Sequence, residues 1–296
     1  MFDEVSIEKE NSDLTYDGTE LFLVESNEKG KCTASAHIHG AIEFLYITKG
    51  EFSVIINGEK HPAPQGTLVV LRSNVMHTVF SDTEGRGAYM VLKIKPSVLV
   101  DFAPSDRRAM YLMPFSLQKR GQKQIFDDEE VKKYGLHSVL AELYADIAAS
   151  RYAAELSVKA NAVRLCAALL DYFARCQHGN GTQDGIAPTA LKKIYETVVF
   201  VNNSFDTDIT ARECAARVKM SYAYFTRVFK QIAGKSFSEY LCEIRINHAE
   251  KELLMSDKSV TEICYMCGFN DLSYFIAKYR CLRGITPYAF RKKQAL

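Results

Sequence analysis

The chain of 296 residues carries 37 Lys and Arg against 36 Asp and Glu, and 47% of its residues are hydrophobic. These values are typical of a globular protein of roughly two domains; they exclude wholesale disorder, and no run of 18 apolar residues exists to cross a membrane. The acidic start, MFDEVSIEKENSD, has no basic-then-apolar leader, and eight cysteines lie scattered without a framework spacing. We therefore expect a cytoplasmic protein with reduced thiols.

The first ~100 residues have the pattern of short β-strands. The stretch EFLYITKGEFSVIING (43–58) is rich in β-branched and aromatic residues and alternates at Phe52, Val54 and Ile56. Its Asn57-Gly58 pair is a strong hairpin signal. The runs GTLVVL and AYMVLKI continue the pattern. Several short strands separated by turns predict a small β-barrel or sandwich.

One stretch of this part, HIHGAIEFLYITKG (37–50), carries candidate chemistry. His37 and His39 are two apart on a predicted strand, so both point to the same face. The spacing H-x-H, three residues, E, six residues, G resembles the first motif of the cupin family, and His77 after GTLVVL resembles its second motif. The usual Pro-x-Gly before that histidine is degraded here to RSNVM. The resemblance implies a barrel with a ligand site lined by His37, His39, Glu43 and His77, and we assign residues 1–127 to a cupin-like ligand-sensing domain.

Two interpretations of these four residues stay open. Their nitrogen and oxygen ligands suit Zn, Fe, Mn or Ni, so a divalent transition metal, and with it a cupin dioxygenase or isomerase, is one possibility. The other, which we prefer, is a small-molecule pocket without metal or catalysis. No nucleophile–base pair is evident elsewhere in the sequence, so we expect no enzyme.

From residue 128 the hydrophobic period becomes helical. One helical face is predicted to carry Val139, Leu140, Leu143 and Ile147; a second carries Val158, Ala162, Leu165, Leu169 and Phe173. These faces either cover the barrel or form a dimer contact. We assign residues 128–177 to a helical dimerisation segment. The stretch HGNGTQDGIAP (178–188) reads as a linker.

The remainder, residues 189–296, contains an internal repeat. YFTRVFKQIAGKSFSEY from Tyr224 matches YFIAKYRCLRGITPYAF from Tyr274 at an offset of 50 residues. Each copy opens on a capping box, Thr210 with Glu213 and Ser259 with Glu262, followed by a short helix, a turn and a second helix. That order predicts two helix-turn-helix units. The segment SFSEYLCEIRINHAEKELLMS between them reads as one helix, long enough to place two recognition helices in successive major grooves.

This part carries 17 Lys and Arg against 11 Asp and Glu, whereas the rest carries 20 against 25. The basic excess points to a polyanion partner for the C-terminal part alone. The blocks MSYAYFTRVFKQIAGKSFSEYL and CGFNDLSYFIAKYRCLRGITPYAFR resemble the AraC/XylS family of bacterial transcription regulators. The resemblance covers about residues 190–293 and implies double-stranded DNA as partner, bound by tandem helix-turn-helices.

The same matching supplies candidate DNA-contacting residues. They are Tyr222, Ala223, Thr226, Arg227 and Lys230 in the first copy, and Leu272, Ser273, Ile276, Ala277 and Arg280 in the second. Lys230 and Arg280 suit phosphates, which position a domain without specifying sequence. Tyr224, Phe225, Tyr274 and Phe275 are expected mostly in the core. Lys219 stands where the family often has glycine or asparagine, and Ala277 where it usually has arginine.

Cys264 and Cys267 form a C-x-x-C, but no second pair lies at zinc spacing, and we interpret both as small core residues. We therefore predict an α+β multidomain protein: a cupin-like β-barrel, a helical dimerisation segment and a C-terminal all-α tandem helix-turn-helix domain. Its expected function is ligand-responsive transcription regulation as a homodimer, with a sugar or related metabolite as effector. The alternative is a metal-dependent cupin enzyme fused to a DNA-binding domain.

Overall fold

The computed structural model describes residues 14–104, 107–117, 122–148, 152–178 and 186–294. Apart from residues 36–38, which group with the C-terminal residues, these residues form two compact units that divide the chain near residue 186. The predicted linker, 178–188, lies mostly outside the described residues. Within the described ranges, no helix is long and apolar enough to cross a membrane.

The first unit is built on ten strands in two antiparallel sheets. The six-stranded sheet has the order β1-β2-β9-β4-β7-β10, and the four-stranded sheet has the order β3-β8-β5-β6. The strands are β1 Leu14–Tyr16, β2 Thr19–Ser26, β3 Cys32–His37, β4 Ile42–Lys49, β5 Glu51–Ile56, β6 Glu59–Pro64, β7 Leu68–Leu71, β8 His77–Ser81, β9 Gly87–Ile94 and β10 Ile125–Phe126.

The predicted β5–β6 hairpin is confirmed. Ile56 pairs with Glu59, and Asn57 and Gly58 both have positive φ, 50° and 86°. That is the backbone of a type I′ turn, which matches the twist of the flanking strands. The alternation of β5 sends Phe52, Val54 and Ile56 into an apolar core between the two sheets, together with side chains of β4, β7 and β9.

Helices cover the outer face of the six-stranded sheet. They are α1 Pro96–Phe102, α2 Arg108–Ser116, α3 Asp128–Lys133, α4 Leu136–Ala148 and α5 Ala154–His178. Phe115 of α2 packs edge-on against Phe44 of β4 and against Phe173 of α5. Covering both faces explains why all eight residues of β9 are buried. Helices α1 and α2 begin where the strand pattern of the first ~100 residues ends, earlier than residue 128, from which the sequence indicated helices.

The two predicted apolar faces of the middle helices are used inside this unit. Val139, Leu140 and Leu143 of α4 are buried, and so is the whole predicted α5 stripe from Val158 to Phe173. Only Ile147 is half-buried. These faces therefore cover the sheet, and a dimer contact requires another surface.

The second unit is helical throughout, as predicted. Its helices are α6 Pro188–Ser204, α7 Ala211–Arg217, α8 Tyr222–Ala233, α9 Phe237–Met255, α10 Val260–Met266, α11 Leu272–Arg283 and α12 Pro287–Gln294. Both predicted capping boxes are present, at Thr210 and Ser259, and a third begins α9 at Ser236. Helix α9 has 19 residues, which span about 28 Å.

The internal repeat is a structural repeat. In each copy the second residue after the first helix takes a left-handed conformation, Lys219 with φ 51° and Gly268 with φ 81°. The amide of the following residue then bonds back into the helix, Met220 N to Ala215 O and Phe269 N to Cys264 O. Both second helices end on a left-handed glycine, Gly234 and Gly284. The turn geometry therefore repeats despite different side chains.

Candidate barrel site and DNA-binding surface

The four residues predicted to line the barrel site lie together. His37 ends β3, His39 follows in the β3–β4 connection, Glu43 lies in β4 and His77 begins β8. One ligand atom of each lies within 4.8 Å of the others. Glu43 and His77 are buried, 3% and 1% exposed, and the two remaining histidines are half-buried. The site is therefore open to solvent on the side of His37 and His39.

Glu43 is the centre of this cluster. Its Oε2 lies 2.5 Å from His39 Nε2 and 3.2 Å from His77 Nε2. Burial alone would raise the pKa of Glu43, but the neighbouring His77 and His39 hold it well below its usual range. The carboxylate is therefore ionised at neutral pH, as a metal ligand or an ion-pair partner must be.

The hydrogen bonds around both rings favour a cation at this point. His39 Nδ1 lies 3.2 Å from Ala41 O, and His77 Nδ1 lies 3.0 Å from Val75 O. A carbonyl accepts only from a protonated Nδ1, and neutral imidazole then has a lone pair on Nε2 that faces the Glu43 carboxylate. This tautomer suits a cation between Nε2 and the carboxylate, whereas in the other tautomer Nε2 donates directly to Glu43.

The donor set fits a divalent transition metal. Carbonyl acceptors at Nδ1 are the usual outer partners of metal-ligating histidines, because they fix the ring with Nε2 toward the ion. A metal about 2.1 Å from each ligand requires ligand atoms within about 4.2 Å of one another. The quartet would contract by only some tenths of an ångström to meet that limit. His37, His39, Glu43 and His77 are thus able to hold such an ion.

Lys93 is a barrel residue that sequence analysis missed. Its Cα pairs with that of Glu43 across β4 and β9, so both side chains share the inner face. Lys93 is 8% exposed and its Nζ lies 5.4 Å from the centre of the Phe22 ring. The alternation of Tyr89, Val91 and Lys93 along β9 was the available signal. A continuous apolar run masked it, because β9 is buried on both faces.

The first recognition helix, α8, presents a basic face. Tyr222, Ala223, Arg227 and Lys230 are exposed, and Thr226 is half-buried with its hydroxyl donating to Tyr222 O. The side chains are held from beneath by Phe225, Val228 and Phe229, which are buried. The predicted contact residues of the first copy therefore share one accessible surface.

The second recognition helix, α11, presents a less polar face. Ser273, Ala277 and Arg280 are exposed, and with Ile276, Cys281 and Thr286 they line a shallow hollow. Leu272 and Ile276 are half-buried and pack against the core of the second copy, so both are partly structural. The expected core position of Tyr274 is wrong: it is 52% exposed, and Tyr224 is half-buried. Phe225 and Phe275 are buried as predicted.

Cation–aromatic contacts mark further residues of this surface that the sequence did not single out. Lys278 Nζ lies 5.4 Å from the Tyr274 ring, and the Arg212 guanidinium lies 5.2 Å from the Tyr222 ring. The i, i+4 spacing of Tyr274 and Lys278 was the available signal for the first pair. Each contact places a cation beside the start of a recognition helix.

Other basic residues of this unit have structural roles. Arg245 donates to Phe205 O and Thr207 O, and Arg291 donates to Leu253 O, Lys258 O and Ser256 O. The basic excess of the sequence therefore overstates the charge available to DNA. Cys264 and Cys267 are buried, and burial raises the pKa of Cys267 to about 12. Both fit the interpretation of small core residues.

Comparison with known proteins identifies both units. Residues 23–93 match the family described as "Cupin domain", and residues 214–293 match the family described as "Helix-turn-helix domain". The HTH-type transcriptional regulator ArgR of Pseudomonas aeruginosa is 30% identical over 102 residues, which cover 34% of this chain and 31% of ArgR. The chain thus spans under a third of that relative.

Two further similarities extend over most of the chain. The melibiose operon regulatory protein of Escherichia coli is 21% identical over 273 residues, covering 87% of this chain and 83% of the relative. A crystal structure of ToxT from Vibrio cholerae covers 94% of this chain and 99% of its own, at 14% identity and a TM-score of 0.47. The chain therefore combines a cupin domain with the helix-turn-helix domain of AraC/XylS-type regulators, and the relatives that it matches are transcription regulators.

Proposed function

We propose that this regulator binds one operator through α8 and α11 together and that a small molecule in the barrel controls that binding. The observation that carries the proposal is the repeated helix-turn-helix. Two recognition helices of the same turn geometry are exposed in one unit and are joined by a helix that spans about 28 Å. Successive major grooves lie about 34 Å apart along DNA, so one duplex is able to engage both.

Selection from a random duplex library tests this function. The full chain should enrich a bipartite sequence whose halves lie about one helical turn apart. Its affinity should fall steeply with salt, because each neutralised phosphate releases counterions. Charge reversal by Lys230→Glu should reduce the salt slope, whereas the same change at exposed Lys29, in the barrel unit, should not. Enrichment of no sequence, with affinity independent of salt, would contradict the proposal.

We propose that the effector is a sugar or related metabolite and that it binds on the side of the barrel site that His37 and His39 leave open. The relative named for the melibiose operon supports the metabolite class. For regulation, the effector must bind two states of the protein with different affinity. Because the matching relatives are regulators, we propose binding at this site and not turnover.

In place of the metal-free pocket that we preferred from the sequence, we propose that a divalent transition metal bound by His37, His39, Glu43 and His77 forms part of the effector site. Such an ion would supply a Lewis-acidic centre for hydroxyl or carboxylate oxygens of the effector. The chain's own contribution is to orient both imidazoles through Ala41 O and Val75 O and to keep Glu43 ionised.

Elemental analysis of protein purified without chelator tests the metal. A stoichiometric transition metal that is lost in His39→Ala and kept in the matched control His61→Ala is expected, since His61 lies on β6 outside the quartet. Equal metal content in both variants, or none in the wild type, would contradict the proposal. The measurement does not depend on knowing the effector.

A homodimer through α5 completes the proposal. A second apolar stripe of α5, in which Val163 and Leu170 are half-buried and the other members are exposed, has alternating spacings of four and three residues: Leu156, Ala160, Val163, Ala167, Leu170 and Ala174. Leu156 is 70% exposed. This heptad spacing with small residues at one position and larger residues at the other suits close pairing with a second copy of the helix. An antiparallel pair would place each alanine opposite a leucine or valine.

A further inference from the structure

A buried polar network joins the second recognition helix to the long helix α9. Arg283, the last residue of α11, donates from Nε to Glu250 Oε1 at 2.8 Å and from Nη2 to Glu250 Oε2 at 2.8 Å. Its Nη2 also donates to Asn247 Oδ1 at 2.5 Å, and the Tyr279 hydroxyl donates to Glu250 Oε1 at 3.3 Å. The Arg283 and Glu250 side chains are 5% and 3% exposed.

The first copy has no counterpart to this network. At the offset of 50 residues, Arg283 corresponds to Ala233 and Tyr279 corresponds to Phe229. There α8 packs on the aromatic rings of Phe237 and Tyr240, whose centres lie 5.5 and 5.6 Å from that of Phe229. Both recognition helices pack on α9 through apolar side chains, and α11 alone of the two adds this buried set of directed hydrogen bonds.

We propose that Glu250 and Arg283 are positioning residues, which fix the pose of α11 on α9 and so align the second recognition helix with DNA. The bidentate pair allows one geometry, because a planar guanidinium and a carboxylate bond in a common plane. A buried ion pair adds little net stability over apolar residues of similar volume, since desolvation offsets the attraction. Its contribution here is orientation.

The outer face of α11 makes that orientation matter. Its central residues, Ile276 and Ala277, offer only apolar atoms, which contact a thymine methyl over van der Waals distances. A long arginine on α8 adapts to small displacements, whereas a short apolar side chain does not. Loss of the network should therefore weaken binding to the half of the operator that faces α11 and leave binding to the other half unchanged. The inference rests on the proposed binding through both helices.

The test uses the full chain and the duplex that the wild type selects from a random library. The measured quantity is the affinity ratio between the intact duplex and one whose α11 half is scrambled. The variants are Glu250→Leu with Arg283→Met, and Arg283→Lys, which keeps the charge but loses the planar fork. The matched control replaces another ion pair that involves α9, Lys235→Met with Glu243→Leu, in which Lys235 precedes the helix and Glu243 lies on it; the two are joined at 2.5 Å and are 24% and 19% exposed.

We expect the wild type to lose roughly tenfold in affinity when the α11 half is scrambled. The melting temperature of the apolar double variant should be no lower than that of the wild type. Its affinity for the duplex should fall by almost nothing when the α11 half is scrambled. Scrambling the α8 half should cost both proteins the same. Arg283→Lys should show the same pattern more weakly, which keeps the test valid if the double variant does not fold.

A wild-type ratio near one, or an unchanged ratio in both variants, would overturn the inference. Equal losses in the control pair would also overturn it, because the effect would then belong to any ion pair that involves α9. Failure of the proposed function is distinguishable: the wild type would then select no sequence at all.

Discussion

Lys219 and Gly268 occupy the same position of the turn in the two copies. Replacing Lys219 by glycine should raise the free energy of unfolding, whereas replacing Gly268 by alanine should lower it. Lys219 has φ 51°, a left-handed conformation that costs a residue with a Cβ about 1–2 kcal/mol. Glycine removes that cost but loses about 0.5–1 kcal/mol of chain entropy on folding. The net expectation for Lys219→Gly is a gain of about 0.5–1 kcal/mol in the free energy of unfolding.

Gly268→Ala should do the reverse and by more. A Cβ at Gly268 would lie 2.8 Å from Phe205 O and 3.0 Å from Arg245 Nε, the two atoms of an existing hydrogen bond. Conformational strain and overpacking together should cost about 2–4 kcal/mol. The backbone of the two turns is alike. A larger change in unfolding free energy at Gly268 than at Lys219 therefore reports how tightly neighbouring atoms surround Gly268.

Urea unfolding of a fragment of residues 186–294, followed by far-ultraviolet circular dichroism, measures both changes, since the chain has no tryptophan for fluorescence. Lys219→Ala is the control: it keeps the left-handed strain while shortening the side chain, so it should be nearly neutral. A Lys219→Gly variant no more stable than Lys219→Ala, or a Gly268→Ala variant within 0.5 kcal/mol or so of the wild type, would refute the reasoning.

Two further predictions concern the dimer and the pH response. Ala160→Glu with Ala167→Glu should raise the dimer dissociation constant at least about tenfold in sedimentation equilibrium, because the double change buries charge in the α5 stripe. Arg175→Glu, beside the stripe, is the control and should leave the dissociation constant unchanged. A dimer unaffected by the double change would show that α5 is not the interface. His248 stacks on Phe205 with ring centres 3.7 Å apart, and burial lowers its pKa to about 4. The unfolded state therefore binds the proton first as pH falls below about 6.5, so fragment 186–294 should lose about 1–2 kcal/mol between pH 7 and 5 after allowance for partial exposure. His248→Phe should flatten that dependence in urea titrations, and an equal slope in the variant would contradict the assignment.

Local signals predicted much of the fold. The capping boxes at Thr210 and Ser259 and the Asn57-Gly58 turn depend on neighbours within a few positions, and both kinds of signal are confirmed. The 50-residue repeat, found by matching two such local patterns, is also a structural repeat. The clustering of His37, His39, Glu43 and His77 followed from a family motif and is also present in the structure.

The features that sequence analysis missed depend on pairs far apart in the chain. Arg283 and Glu250 are 33 residues apart, and nothing local marks them as partners. The apolar stripe of α5 chosen from the sequence is the buried one, because two stripes share that helix and periodicity cannot tell which faces the sheet. Tyr274 was expected in the core from its match with Tyr224, but an aromatic residue near a helix start is able to lie at the surface with a cation beside it.

The most direct measurement is a base-by-base substitution scan of the selected duplex with wild type, Arg227→Ala and Ala277→Ser. Arg227 is exposed on α8 and is able to bond guanine O6 and N7 in a bidentate contact worth about 1–3 kcal/mol of discrimination. Its counterpart Ala277 offers a methyl group only. We predict that Arg227→Ala costs about 1–3 kcal/mol and relaxes base preference in one half of the site, while Ala277→Ser changes affinity little. Unchanged base preference in Arg227→Ala, or greater base sensitivity in the half facing α11 than in the half facing α8, would contradict asymmetric reading by two tandem recognition helices.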